Sequence, residues 1–214
     1  MKTALLFIST LFLICNTTFS QDSFKPVIKE DARNYQSKID KVSETINTLQ
    51  CSFIQNKEIS VLEESVISKG KLLFKKQNKL CWEYKSPYYY LFILNGEKVF
   101  IKNETSINQF DTKSNALFKE ISLLLLNSIS GTGMIDPEKF VVSFFENSES
   151  LLVKLAPKNK TIKSILSSIS LYFDKGSFLV SKIELTEASG DITTIVFSEV
   201  KLNQTINDEL FIVH

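Results

Sequence analysis

Residues 81–100 read CWEYKSPYYYLFILNGEKVF. Trp82 is the only tryptophan in the chain, and Tyr84, Tyr88, Tyr89, Tyr90, Phe92 and Phe100 follow it closely. A strand with one wet face alternates apolar and polar residues. Between Tyr88 and Leu94 there is no charged residue at all. Asn95-Gly96, set between two apolar runs, is a tight-turn signal. The stretch therefore predicts strands turning back on themselves with both faces in need of cover. Strand parity groups Trp82, Tyr84, Tyr88, Tyr90, Phe92 and Leu94 on one face, taken as the inner one.

Working outward, the same alternation predicts strands over 49–60, 65–75, 79–85, 89–94 and 98–102. In the second of these, Val66, Ser68, Gly70, Leu72 and Phe74 fall on one side and Lys69, Lys71 and Lys75 on the other. Short turns between consecutive strands imply an antiparallel meander. Strands resume over 139–145, 151–156, 165–174, 178–186 and 191–200, with Lys175-Gly176 and Ser189-Gly190 as turns. Two helices interrupt them. Residues 31–49 place Tyr35, Ile39, Val42, Ile46 and Leu49 at helical spacing, with Asp31 as the cap. Residues 114–129, SNALFKEISLLLLNSI, are apolar nearly all round, which predicts a helix buried against the sheet. The whole reads as mainly β with about eleven strands, a curled antiparallel sheet wrapped around helical elements.

The N-terminus carries a positive Met1-Lys2 start, an apolar run at 4–15 and a polar stretch, NTTFSQD. That pattern matches a secretory leader cleaved near Ser20, leaving one domain over 21–214 in an exported compartment. A membrane anchor, or a lipid attached to Cys15, remains open. Cys51 and Cys81 lie beyond the leader. By parity Cys51 shares a face with Leu49 and Phe53, while Cys81 is out of phase with Leu80 and Trp82. The two sulfurs are therefore expected on opposite faces, as free thiols.

A net charge of +1 provides no field for nucleic acid. The single histidine, His214, is the last residue, which removes Ser-His and Cys-His nucleophile systems. There is no zinc spacing and no phosphate-cradling loop, so no enzyme, metal or cofactor is expected; a scattered carboxylate pair stays open. What remains is apolar excess, with 43% hydrophobic and 11% aromatic residues. Residue by residue a large core is the favoured account, with a cavity for an apolar ligand as the alternative; composition alone does not choose between them.

Ordered motifs distinguish these readings. Phe53-Ile54-Gln55 resembles the Phe-x-Gln strand of the outer-membrane lipoprotein carrier family, the LolA-like proteins. Gly70-Lys71-Leu72-Leu73-Phe74 and Trp82-Glu83-Tyr84-Lys85-Ser86-Pro87 are similar to the family's second strand and its Trp-x-Tyr-x-x-Pro segment. Asn95-Gly96 with Val99-Phe100, then Ile107-Asn108-Gln109, continue the order. The segment 191–197, Leu202-Asn203, Ile206-Asn207-Asp208 and Phe211 resemble the family's closing pattern. The resemblance implies an incomplete antiparallel barrel closed by helices over a hydrophobic cavity, located in the periplasm. It implies a monomer that takes lipoproteins from an inner-membrane lipoprotein-release transporter to an outer-membrane acceptor. The cavity would be lined by Phe53, Phe74, Trp82, Tyr84, Phe92 and Phe100, joined by Tyr90 and Leu94 from the parity set. Leu117, Ile121 and Leu124 would face it from the lid helix. A lipid-sensing regulator, or a carrier of another lipid-like cargo, is the alternative on the same fold. One departure stands out. Where the family's best-known form has an Arg-Pro pair whose arginine latches the lid, this chain has Gln77-Asn78, making Gln77 the candidate latch.

Overall fold

The computed structural model describes residues 23–62, 64–111 and 135–212. The leader at 1–20 and the apolar helix expected at 114–129, with Leu117, Ile121 and Leu124, lie outside the described residues. The strands are β1 Lys25–Pro26, β2 Thr48–Ile59, β3 Glu64–Lys75, β4 Lys79–Ser86, β5 Tyr90–Asn95, β6 Lys98–Asn103, β7 Ile107–Asp111, β8 Phe140–Glu146, β9 Ser150–Pro157, β10 Leu166–Asp174, β11 Val180–Glu187 and β12 Ile192–Leu202. Helix α1 spans Lys29–Thr45, α2 spans Lys160–Lys163, and a 3-10 turn covers Asp208–Phe211.

Among the described residues all twelve strands pair antiparallel in one sheet, ordered β1-β8-β9-β10-β11-β12-β2-β3-β4-β5-β6-β7. Two meanders, β2 to β7 and β8 to β12, meet where β12 lies beside β2. The far edges β1 and β7 are not paired to each other, so the barrel is incomplete, as expected. The sequence reading missed β1 and β7, the two edges. Each is short, and β7 has almost no buried side chain to impose alternation.

Turn chemistry sets the register. Gly96 takes φ +63° in the two-residue link between β5 and β6. Gln77 and Asn78 take φ +73° and +60° between β3 and β4. A proline, with φ held near −65°, could not occupy Asn78 here, so the Arg-Pro departure is a change of turn as well as of side chain.

Helix α1 starts earlier and ends earlier than the apolar spacing predicts. Ile28 stands at its N-cap without a side-chain bond, and Asp31 lies in the first turn beside Glu30. There both carboxylates favour the positive end of the helix dipole. Its last carbonyls find other partners: Lys76 Nζ donates to Glu44 O and Asn203 Nδ2 donates to Thr45 O at 3.1 Å. Ile46 then turns extended, and Leu49, read as the helix's last apolar position, belongs to β2.

One face of the sheet forms the main core. Leu49, Cys51 and Phe53 of β2 pair through Phe74, Leu72 and Gly70 of β3 to Leu80, Trp82 and Tyr84 of β4, and then to Leu94, Phe92 and Tyr90 of β5, respectively. These join Leu151, Leu155, Leu171, Phe173, Ile183 and Ile195 of the second meander, with Ile39 and Ile46 on top, in one cluster. Residues from both halves touching one another require a strongly curved sheet whose inner face is this one.

The other face of β4 to β6 is also covered. Cys81, Ile93 and Phe211, with Ile206, form a second cluster, against which Leu73, Leu91 and Phe100 pack. The C-terminal tail is held there by Asp208, which receives Lys75 Nζ at 2.7 Å and Lys79 Nζ at 3.0 Å. Asn95 Nδ2 donates to Phe211 O at 3.2 Å.

Gly70 stands between Phe53 and Tyr84 in register. A Cβ there would lie 2.0 Å from Glu83 O and 2.5 Å from Phe53 Cζ. Because the first obstacle is backbone, it cannot swing aside. Gly70→Ala is expected to destabilise the fold by about 1–3 kcal/mol, the usual range for overpacking, read as a lower denaturant midpoint with an unchanged slope.

Candidate functional site

The inner wall is built on β2, β4 and β5, whose side chains alternate inward past Gly70. Phe53 packs on Trp82 and on Tyr84, each with ring centroids 5.1 Å apart. Trp82 meets Phe197 of β12 at 6.4 Å and lies roughly parallel to Tyr84 at 6.5 Å. Tyr84 meets Tyr90 edge-on at 6.1 Å. Burial falls along this wall: Phe53, Trp82 and Phe92 are buried, Tyr84 is partly buried, and Tyr90 is 38% exposed. Phe74 and Leu94 are buried on the same face nearer α1. The structure thus brings together Phe53, Trp82, Tyr84, Tyr90 and Phe92, with Phe74 and Leu94 deeper.

Phe100 is a correction. It pairs with Ile93, while its neighbour Val99 pairs with Leu94, so parity turns Phe100 to the outer face under the C-terminal tail. Val99 and Ile101 hold the inner positions of β6. Tyr88 is a second correction: it precedes β5 and is 78% exposed, because the strand alternation restarts only at Tyr90. The sequence reading missed Phe197, which alternation in β12 places inward, paired with Phe53.

Two polar features interrupt the apolar wall. Tyr84 Oη donates to Gln55 Oε1 at 2.8 Å. Burial, with a smaller contribution from Tyr90, pushes the Tyr84 hydroxyl up to about 12, against the opposing influence of the nearby Trp82 N–H. It stays neutral at any physiological pH. The Trp82 Nε1–H is buried; it is near enough to the Tyr84 hydroxyl to influence it, but it meets no acceptor at hydrogen-bond distance and angle among the described residues. An orphaned buried donor costs about 1–3 kcal/mol.

Space near the wall is uneven. Behind Leu49, Cys51, Leu72 and Phe197 only about 10 Å³ is free. A groove of about 850 Å³ runs between α1 and β8. Its floor is Val27, Ile135, Phe140, Val142 and Phe144, and Lys29, Arg33 and Lys158 stand around it.

The helix that borders this groove is held near its middle and at its C-terminal end. Tyr35 Oη donates to Glu146 Oε2 at 2.6 Å, and Lys175 Nζ reaches the same oxygen at 2.7 Å. At the C-terminal end Lys76 Nζ binds Glu44 O. Gln77, the candidate latch, is exposed in the turn with no hydrogen bond among the described residues. The adjacent Lys76 makes the contact with α1.

Acid chemistry finds no support in the carboxylates near the inner face. Glu187 and Asp191 share Lys57 at 2.7 and 3.8 Å. The Ser60 backbone N–H holds Asp191 below the usual carboxylate range, whereas a general acid requires a raised value. Among the described residues no group of three or more His, Cys, Asp or Glu is placed to hold a metal. None of their helices is long and apolar enough to cross a membrane.

The sequence profile of the family described as outer membrane lipoprotein carrier protein LolA matches residues 44–214. An outer-membrane lipoprotein carrier protein of Legionella pneumophila strain Corby is 25% identical over 202 residues, 94% of this chain and 92% of the relative. One from Pseudomonas paraeruginosa strain PA7 is 27% identical over 146 residues; that match spans 66% of this chain and 65% of the relative's length. Among solved structures, an uncharacterized conserved protein of Thermus thermophilus superposes with a TM-score of 0.51 at 9% identity, covering 86% of this chain and 94% of that one.

Two outcomes follow from the site's electrostatics. Cys51 faces inward and Cys81 outward, both buried and free. Burial pushes Cys51 to about 12; burial, then Glu83, pushes Cys81 to about 11. Since the thiolate is the nucleophile, both thiols are expected to resist iodoacetamide at pH 8 until denaturant is added, as followed by intact mass under non-reducing conditions. Lys175, then Tyr35, holds Glu146 below its ordinary 4.5. A carboxyl lowered by folding contributes stability above its unfolded value and loses it as pH falls through the folded one. Glu146→Gln should lower the denaturant midpoint at pH 7, and its gap from the parent chain should close as pH falls below about 4.5.

Proposed function

The chain belongs to the LolA family of outer membrane lipoprotein carrier proteins, and on that premise we propose that it is a periplasmic carrier that shelters the acyl chains of lipoproteins and delivers them from the inner to the outer membrane. The observation that carries the reading is the continuous apolar inner face, aromatic from Phe53 to Phe92, whose cluster extends to Phe140, Val142 and Phe144 on the floor of a groove. The groove's 850 Å³ lies within the range of about 300–1,000 Å³ common for small-molecule sites. Each methylene withdrawn from water contributes about 0.8 kcal/mol. A chain of roughly sixteen carbons is therefore held by something on the order of 10 kcal/mol before the entropy of ordering it is subtracted. Such holding needs no covalent step. It is non-directional, so release follows when an acceptor offers an equally dry surface.

In this reading the domain over 21–214 works as a monomer after the leader is removed. Phe53, Phe74, Trp82, Tyr84, Tyr90, Phe92 and Leu94 form the wall, and Val142 and Phe144 extend it into the groove. The segment with Leu117, Ile121 and Leu124 is assigned to the same site on its sequence alone. A release transporter and an outer-membrane acceptor are the implied partners.

The test is transfer. Chain purified from an exported fraction should carry bound lipid or lipoprotein in native mass spectrometry, and should release a lipoprotein from spheroplasts into soluble form. Val142→Glu places a charge on the groove floor at a partly buried position. It should leave the fold intact and reduce soluble lipoprotein at least tenfold. A parent chain that is always empty and releases nothing would sink the proposal.

A further inference from the structure

The wall's two polar interruptions lie on the same face of the sheet. Trp82 is 4% exposed, and its Nε1–H has no acceptor among the described residues. Gln55 lies two positions from Phe53 on the same face, and Tyr84 two from Trp82. Tyr84 Oη donates to Gln55 Oε1, which occupies the amide's acceptor and leaves its NH₂ unbonded among the described residues. Two donors, one indole and one amide, thus belong to a wall whose deeper members, Leu72, Leu80 and Leu94, are wholly apolar. A buried donor without an acceptor, as the Trp82 indole is, is rare in folded proteins; the Gln55 amide nitrogen, on a half-buried residue, is open to a partner. A site with such donors discriminates strongly against a ligand that cannot bond to them.

We propose that Trp82 and Gln55, with Tyr84 orienting the amide, receive the carbonyl oxygen of an acyl ester, so that the site reads the junction of chain and head group as well as the chain. The inference rests on the carrier reading and adds the ligand's chemical class. A neutral acceptor fits because this wall, among the described residues, has no free cation. Lys57, the nearest on the same strand face, is engaged by Glu187 and Asp191. A free carboxylate would be stripped of water beside Phe53 and Trp82 with nothing to neutralise it. Asn56 Oδ1 is also buried without a partner among the described residues, but it pairs with Thr194 and Ile67 on the opposite face and is no part of the site.

The test compares 1-palmitoylglycerol with 1-O-hexadecylglycerol, which lacks only the carbonyl, by displacement of a fluorescent acyl probe from the full chain. The parent should prefer the ester about three- to tenfold, the range of a net neutral hydrogen bond. Trp82→Phe, which keeps an aromatic ring, and Gln55→Met should each lower ester affinity more than ether affinity, bringing the ester-to-ether ratio toward one. Because Trp82 is the only tryptophan, the single indole ¹⁵N–H resonance should move downfield with the ester and not with the ether. Equal affinities in the parent, or a preference that survives in both variants, overturn the inference alone. Binding of neither compound overturns the carrier reading with it. Should Trp82→Phe fail to fold, Gln55→Met decides. Repeating the comparison with a diacyl lipopeptide and a phosphatidylglycerol of the same chains identifies the source of the ester. A variant effect on either supports the proposal, and an effect on neither overturns it.

Discussion

The pairing of β12 with β2 is the contact on which the rest of the molecule depends. Without it the chain is two separate meanders, each with one bare apolar face. With it, Phe197 comes beside Phe53 and Ile195 beside Gln55, and the two faces become one. Asn203 secures the junction. Its backbone N–H donates to Thr48 O, its Oδ1 accepts from Asn47 N at 2.8 Å, and its Nδ2 caps Thr45 at the end of α1. One residue thereby ties the last strand to the helix end and to the first long strand, across 156 positions. Such a contact repays its loop-closure entropy only late in folding, so the curvature of the inner face is a property of the finished fold.

The apolar excess of 81–100 follows from that geometry. Inward, Trp82, Tyr84, Phe92 and Leu94 join the main cluster; outward, Cys81, Ile93 and Phe100 lie under a tail that returns from the far end of the chain. Phe211 supplies the apolar anchor, and Asp208, between Lys75 and Lys79, fixes where it lands. Salt bridges this exposed add little energy; their effect is to position the turn. A strand with two apolar faces is thus what the middle of a curved sheet with a strapped back requires.

Chemically the inner face is graded, from aliphatic and tightly filled near α1 to aromatic and partly polar toward Tyr84, Gln55 and Tyr90. The filled end leaves about 10 Å³, and the larger space is displaced toward β8 and the N-terminal half of α1. Helix α1 is anchored to β8 through Tyr35 and Glu146 and to the β3–β4 turn through Lys76. Gln77 and Asn78 are both left-handed in the β3–β4 turn, and the lid helix that a latch at Gln77 would hold lies outside the described residues. The turn's contact with α1 is made by Lys76, a cation that meets the negative end of the helix dipole.

Alternation and turn residues alone determined which residues share a face and where the chain turns: the opposition of Cys51 and Cys81, the grouping of Trp82 with Tyr84 and Phe92, the turn at Asn95-Gly96, and the antiparallel class. Those are local facts, carried by a side-chain period of two and by residues that tolerate positive φ. Tertiary structure alone decided which face is concave, that Val99 and not Phe100 looks inward, that Tyr88 falls outside the strand, and that the edges are β1 and β7. It also decided that Trp82 keeps an unpaired donor among the described residues. Each of these depends on what covers a surface or ends a pairing. A one-residue change of register reverses every side chain that follows, and partners more than a hundred positions away set that register.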